Sequence, residues 1–327
     1  MSRKVKLLLA TILSCSGLYF AFVGENFDTF LHNVSNVNLS YVSIAIILLV
    51  LSCFPRALRW KLIIGPLESI PFHNFFSATM IGYFGNGVMF FRLGEILKAY
   101  TLAKGNNITT SQAFGTVIVE RILDLLVVIF IFALTFTSFP MEDERIKMGI
   151  AFSFGIVILL VLLIVVTYKL NLIEKISKFD IFSNKASQKV ISIITKLFEG
   201  IALVFKKNNI FLIILLSLLI WIFYFYMGVF LLKACDIPLG YADTGMLLVI
   251  SSLILGIPSL PGAAGTLDAG VKYTLVLIFN IHASKALTYS IISHAVSYFP
   301  LLIIGFVYFL ISSVQFNELK NSKGSEF

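Results

Sequence analysis

Pro258-Ser-Leu-Pro261-Gly-Ala-Ala-Gly265-Thr-Leu-Asp268 interrupts an apolar run that extends from about 244 to 281. Two prolines and two glycines within eight residues cannot remain one regular helix: each proline removes a backbone donor, and each glycine favours a turn. The run therefore reads as two half-helices that meet at a break. An earlier apolar run, from about 74 to 103, is broken in the same way by Gly82, Gly85-Asn-Gly87 and Arg92-Leu-Gly-Glu95. Within lipid, such breaks belong to re-entrant hairpins or discontinuous helices, because irregular backbone at that depth must line a cavity or be covered by protein.

Composition places both breaks in a bilayer. The 327 residues are 58% hydrophobic and 13% charged. Soluble domains carry roughly twice that share of charge. Mean hydropathy is +0.96. A water-soluble surface cannot be built from so few charges, so a soluble enzyme, a coiled coil, a disordered tail and a nucleic-acid module are excluded. The net charge of +8 points to cytoplasmic loops and anionic lipid surfaces, with no nucleic acid as partner. Cys15, Cys53 and Cys235 have no metal-ligand spacing, and neither a metal nor a cofactor is expected.

Continuous helices long enough to cross are expected at about 5–24, 39–54, 113–138, 148–168, 210–232 and 286–313. The first follows the basic start Met1-Ser-Arg-Lys-Val-Lys6 and reads as an uncleaved span rather than a signal peptide. The segment 171–207 is lysine-rich, with apolar residues at helical spacing. It suits either an amphipathic connector on the cytoplasmic face or a solvated linker. Gly324-Ser-Glu-Phe327 resembles a cloning scar within a tail at 321–327.

If each broken run returns to its own side, the cytoplasmic segments hold nineteen Lys and Arg residues and the outer segments five. That bias puts both termini in the cytoplasm. Residues 1–320 then form one domain of two halves, about 5–138 and about 148–313, each reading helix, helix, broken hairpin, helix. Ile70-Pro71 and Ile237-Pro238 precede the two hairpins, and Gly94 pairs with Gly265. Three crossings per half is odd, so the halves are inverted. The fold class is an all-α, polytopic integral membrane protein with two inverted repeats, each holding a re-entrant broken-helix hairpin.

Charges within apolar segments cost roughly 2.5–3.5 kcal/mol each at a helix centre, and six are candidates for function. Arg92 and Glu95 share a face at the first break, where Gly94 lets backbones approach. With Asn86 beside them, they form either a phosphate site at a half-helix start or an ion pair that braces the hairpin. Glu120, Arg121 and Asp124 lie within one turn of the third crossing helix. Together with Arg92 and Glu95 they balance at two cations against three carboxylates. Asp268 either serves the site or caps its half-helix, for which Thr266 is a second candidate cap. The hairpin-tip residues are Gly85, Gly87, Gly94, Pro258, Pro261, Gly262 and Gly265. Arg56, Arg59 and Trp60 read as the interface anchor of a helix closed by Pro55, or as a patch that recruits headgroups. His294 is a candidate proton relay. Catalytic signatures such as GxSxG, a Walker loop or HExxH are absent from the sequence.

Five short motifs occur in order: Arg56-Ala-Leu-Arg59-Trp60, Gly82-Tyr-Phe-Gly-Asn86, Arg92-Leu-Gly-Glu95, Glu120-Arg-Ile-Leu-Asp124 and Pro258-Ser-Leu-Pro-Gly-Ala-Ala-Gly265. Together they resemble the lysylphosphatidylglycerol synthase transmembrane region, also called the flippase-like domain family. The sequence departs from the family pattern at Phe90-Phe91, at Ala263-Ala264 and at Asp268. The resemblance implies a stand-alone member, without the soluble aminoacyl transferase, in the plasma membrane of a prokaryote. It implies a flippase or transporter for a phospholipid or a polyprenyl-phosphate-type lipid. Partners would be lipids with anionic phosphate headgroups and a separate lipid synthase or glycosyltransferase. A membrane-embedded lipid-phosphate transferase and a non-catalytic scaffold are the alternatives.

Overall fold

The computed structural model describes residues 3–65, 69–89, 93–136, 209–257 and 261–312, with isolated helical positions at 148, 152, 155, 158, 159 and 166. The expected helix at 148–168, the connector at 171–207 and the tail at 321–327 lie outside the described residues apart from those positions. So do Arg92 and Pro258.

Among the described residues the chain is all helical. The helices are α1 (Arg3–Phe22), α2 (Phe27–Ser35), α3 (Leu39–Ile64), α4 (Phe72–Val88), α5 (Gly94–Ala103), α6 (Thr110–Thr135), α7 (Ile210–Ala234), α8 (Tyr241–Leu255), α9 (Thr266–Leu277) and α10 (Ala283–Ile311). Of these, α3, α7 and α10 are long and apolar enough to cross a membrane. The chain is thus an integral membrane protein. α6 is as long as α3, but carries Glu120, Arg121 and Asp124 in its middle.

Local chemistry sets the helix starts. Asn26 and Asn38 cap α2 and α3 through their side-chain carbonyls. Thr109 and Gln112 form a reciprocal capping box at α6, which satisfies backbone donors that the first turn leaves open. α2 was not anticipated from the sequence: nine residues are too few to span a bilayer, although Phe27, Phe30, Leu31 and Val34 stand at helical spacing. It docks on α10 through a hydrogen bond from Asn33 Nδ2 to Ser284 Oγ at 2.6 Å.

α3 corrects one reading. It runs through Pro55 to Ile64 instead of closing near residue 54. Proline deletes one ladder bond, but within lipid the surrounding backbone has no water to turn to, so the helix resumes.

Both broken runs are helix–break–helix hairpins, α4/α5 and α8/α9. In the first, α5 folds back so closely that a Cβ on Gly94 would meet the Gly82 carbonyl and the Asn86 amide. In the second, Pro261–Ala263 form a single 3-10 turn, with φ +72° at Gly262 and +62° at Ala263. Gly265 follows at φ +80° as the N-cap of α9.

Helix packing matches between the two halves. α3 lies against α7 in the most extensive contact of the fold. Around that pair, α3–α4 corresponds to α7–α8, α5–α6 to α9–α10, and α4–α10 to α8–α6. The apolar core follows these contacts. Leu49, Cys53, Met80 and Leu301 join α3, α4 and α10. Val127, Val128, Ile220, Trp221, Met246 and Val249 join α6, α7 and α8.

α1 closes against α9. A Cβ on Gly265 would strike the Ser14 carbonyl, and one on Gly17 would lie 2.5 Å from the Gly265 carbonyl carbon. Lys272 on α9 donates to the Ala21 carbonyl at 2.7 Å and pairs with Glu25 at 2.7 Å.

Candidate functional site

Arg56 and Arg59, three residues apart on α3, share a helix face with Trp60. That face meets α6, where Glu120 and Asp124 share a face in turn. The interface-anchor reading of these three α3 residues is overturned: Arg56 is 4% exposed, and Arg59 and Trp60 are 0% exposed. Arg59 donates to Asp124 Oδ1 at 2.9 Å and to Ser217 Oγ at 2.9 Å. Arg56 donates to Asp124 Oδ2 at 3.2 Å and to the Tyr224 hydroxyl at 3.1 Å. Arg121 approaches the same carboxylate at 3.4 Å, and Glu95 at 3.8 Å. Asp124 thus faces three guanidinium groups.

Glu120 belongs to another cation. Lys98 on α5 donates to its Oε2 at 2.5 Å. The ammonium also stands over the Trp60 ring, 4.1 Å from its centroid, where the negative π-face adds attraction. Trp60 completes this layer by donating its indole N–H to Thr116 Oγ1 at 2.9 Å. Lys98 sits at 3% exposure. It is a buried partner of the site, not the loop charge its position suggested.

These pairings reverse the expected charge balance. Among the described residues, Arg56, Arg59, Lys98 and Arg121 stand against Glu95, Glu120 and Asp124. Four cations meet three carboxylates, where the sequence suggested an anionic surplus. Three of the nineteen cations assigned to the cytoplasmic side (Arg56, Arg59 and Lys98) belong to this buried network, and the loop-charge bias rests on the remaining sixteen.

A narrow polar cleft, with room for about one water molecule, opens beside the network, lined by Arg56, Thr79, Gly82, Tyr83, Asn86, Glu95, Lys98 and Arg121. The lining holds three cations and one carboxylate. Arg56 Nε, Arg121 Nε, Thr79 Oγ1 and Asn86 Oδ1 have no hydrogen-bond partner among the described residues. Buried polar atoms normally find partners, so this set is laid out for water or for a polar ligand. Arg121 is the accessible cation, with 41% of its side-chain surface open.

The sequence candidates separate into two groups. Asn86, Glu95, Glu120, Arg121 and Asp124 come together at or beside this pocket, and Gly85, Gly87 and Gly94 shape the hairpin that walls it. Asp268 does not line it. That carboxylate accepts the Gly265 N–H at 2.8 Å and a contact from His294 Nδ1 at 2.8 Å. Thr266 does not cap α9; its hydroxyl donates back to the Ala263 carbonyl at 3.0 Å. Pro261, Gly262 and Gly265 form a second polar centre with Asp268 and His294. Sequence reasoning missed Lys98, Ser217 and Tyr224. The helical spacing of Lys98 after Gly94 is the only advance sign of the first, and single hydroxyls in apolar helices gave no sign of the others.

An all-helical membrane fold with two broken hairpins and a buried cationic pocket defines a polytopic membrane protein with an internal polar site. The family described as lysylphosphatidylglycerol synthase TM region matches residues 7–305. The chain belongs to that family. It is 27% identical to "UPF0104 membrane protein MJ1595" of Methanocaldococcus jannaschii, over 97% of this chain and 99% of that protein. It is 28% identical to "UPF0104 membrane protein MJ1078" of the same organism, over 75% of this chain and all of that protein.

Proposed function

We propose that the protein moves a lipid with an anionic phosphate headgroup across the membrane. The observation that carries this reading is the pocket itself. Three lining cations face a single lining carboxylate, with the Nε atoms of Arg56 and Arg121 and the Thr79 hydroxyl lacking a hydrogen-bond partner among the described residues. Guanidinium groups bind phosphate oxygens through charge-assisted hydrogen bonds, so Arg121 is the phosphate ligand, and Arg56, whose terminal nitrogens hold Asp124 and Tyr224, adds its charge at the pocket wall. Asn86 and Thr79 take hydroxyl or amine groups next to the phosphate. Acyl chains stay in the bilayer while the headgroup passes between the hairpins. The matched packing of the two halves supports this picture, because inverted repeats that rock against each other expose a central site to each side in turn. Family membership supports a lipid as cargo.

The test is translocation in proteoliposomes. Headgroup-labelled phosphatidylglycerol, lysylphosphatidylglycerol and a polyprenyl phosphate are each followed with wild type and with Arg121→Gln. Movement of at least one lipid, reduced in the variant, is the expected result. Folded wild-type protein that moves none of the three would end the proposal.

A further inference from the structure

His294 on α10 uses both ring nitrogens at the tip of the second hairpin. Nδ1 lies 2.8 Å from Asp268 Oδ1, and Nε2 lies 2.9 Å from the Gly262 carbonyl oxygen. A carbonyl oxygen only accepts, so Nε2 carries a hydrogen. Asp268 Oδ2 already takes the Gly265 N–H. The contact between Nδ1 and Oδ1 therefore holds a second hydrogen, whichever atom owns it. The pair carries one proton more than a neutral imidazole beside a carboxylate. Removing it would leave two acceptors facing each other, either at Gly262 or at Asp268.

We infer that His294 and Asp268 form a proton-binding site that latches the second hairpin tip, and that proton release there is coupled to headgroup movement through the pocket. The coupling part rests on the transport reading above.

The contacts give the latch a route to the pocket. Tyr298, one turn beyond His294, places its ring where any side chain on Gly262 would fall, 2.6 Å from the point a Cβ there would occupy. Its hydroxyl donates to the Gly87 carbonyl at 3.0 Å. Gly87 follows Asn86, whose side chain lines the pocket. Freeing Gly262 removes the backing of Tyr298 and loosens the end of α4 at the pocket wall. Asp268 is further anchored by Ser290, whose hydroxyl donates to its backbone carbonyl at 2.7 Å. The ring is thus the member of the pair that is free to turn.

Other titratable groups on the elements packed against α10 are engaged elsewhere. On α9, Lys272 pairs with Glu25, and Tyr273 donates to the Phe20 carbonyl. On α4, the His73 ring lies tilted against Tyr308, and Tyr83 lines the first pocket. On α3, Arg56 and Arg59 are spent on Asp124, Cys53 packs beside Leu301, Tyr41 lies against Phe230, and Lys61 stands in the last turn. On α7, Tyr224 holds Arg56, Lys233 lies over Phe230, and Tyr226 is exposed. On α2, Asp28 and His32 flank the helix that reaches α10 at Ser284, ten residues before His294. Facing the imidazole are Asp268, the Gly262 carbonyl and the Tyr298 phenol, which lies edge-on at 5.9 Å.

The experiment has three arms. In a background without Cys15, Cys53 and Cys235, spin labels on Val88→Cys and Ala264→Cys report the distance between the hairpin tips in frozen nanodiscs. The expected result is a longer-distance population that grows from about pH 5 to pH 9, across the range where imidazole titrates, and that is present at every pH in His294→Gln. Second, nitrogen-15 spectra of wild type, with the His294 signals assigned by their loss in His294→Gln, are expected to shift between the acidic and the alkaline end as the shared proton leaves. A tip distance that does not change with pH, or His294 nitrogen-15 signals that stay constant from about pH 5 to pH 9, overturns the latch.

The third arm imposes a pH step across proteoliposomes. At one proton per lipid, a one-unit step gives about tenfold accumulation of labelled headgroup. Wild type that moves lipid at the same rate and to the same level with and without the step overturns the coupling and leaves the transport reading standing. A pH-dependent tip with no lipid movement ends the coupling and the transport reading together, and leaves the latch.

Discussion

The Tyr298 hydroxyl donates to the carbonyl of Gly87 at 3.0 Å across 211 residues of sequence. This bond joins α10 in one half to the last turn of α4 in the other, at the level where both hairpins break. Tyr298→Phe keeps the ring against Gly262 and removes only the bond. We expect a stability loss of about 1 kcal/mol, read by thermal unfolding in nanodiscs. Transport should become faster or leakier rather than vanish.

Lys98→Met should be far more damaging. It leaves Glu120 buried, with Arg59 at 3.8 Å as its remaining ion-pair partner among the described residues. Breaking a buried pair by removing one partner costs about 3–5 kcal/mol. Adding Glu120→Gln to Lys98→Met should restore most of that loss, because it removes the orphaned charge. A double variant no more stable than the single one would show that Lys98 acts through Trp60 instead.

Arg59→Gln and Arg121→Gln should part company. Arg59 is fully buried and holds Asp124 and Ser217, so its loss should reduce folded yield. Arg121 is partly open to the pocket. Its loss should leave the melting midpoint nearly unchanged and weaken phosphate-lipid binding about tenfold, the value of one charge-assisted contact. Binding to vesicles of phosphatidylglycerol and of phosphatidylcholine would separate the two effects.

Two glycines with left-handed backbone give a further contrast. Gly24 has φ +76° and open space around it. Alanine there should cost only the backbone strain, about 1–2 kcal/mol. Gly265 has φ +80° and the Ser14 backbone where a side chain would go. Gly265→Ala should cost clearly more and should detach α1, which proteolysis near residue 24 would report.

The two breaks were legible in the sequence because Gly and Pro clusters inside apolar runs have few other uses. The membrane class followed from the scarcity of charge. Glu120, Arg121 and Asp124 stood out because ionisable groups in an apolar helix need partners. The partners themselves were harder to see. Arg56 and Arg59 follow Pro55 and precede Lys61, a pattern that also ends helices at an interface; only the arrival of α6 against α3 shows that they turn inward. Lys98 resembles a loop lysine until α5 is laid along α4. His294 and Asp268 are 26 residues apart, and only the packing of α10 against α9 brings the imidazole to the hairpin tip.

The buried network also bears on how the chain is made. Arg59 enters the bilayer with α3, and its counter-ion Asp124 lies 65 residues later on α6. Neither helix is electrically complete when it leaves the ribosome. Each carries ionised groups that lipid alone tolerates poorly. α3 must therefore wait, shielded by the insertion machinery or held near the aqueous boundary, until α5 and α6 bring Lys98, Glu120 and Asp124 to it. Nascent chains that stop before α6 should remain extractable from membranes, and integration should become firm only when the whole first half has emerged.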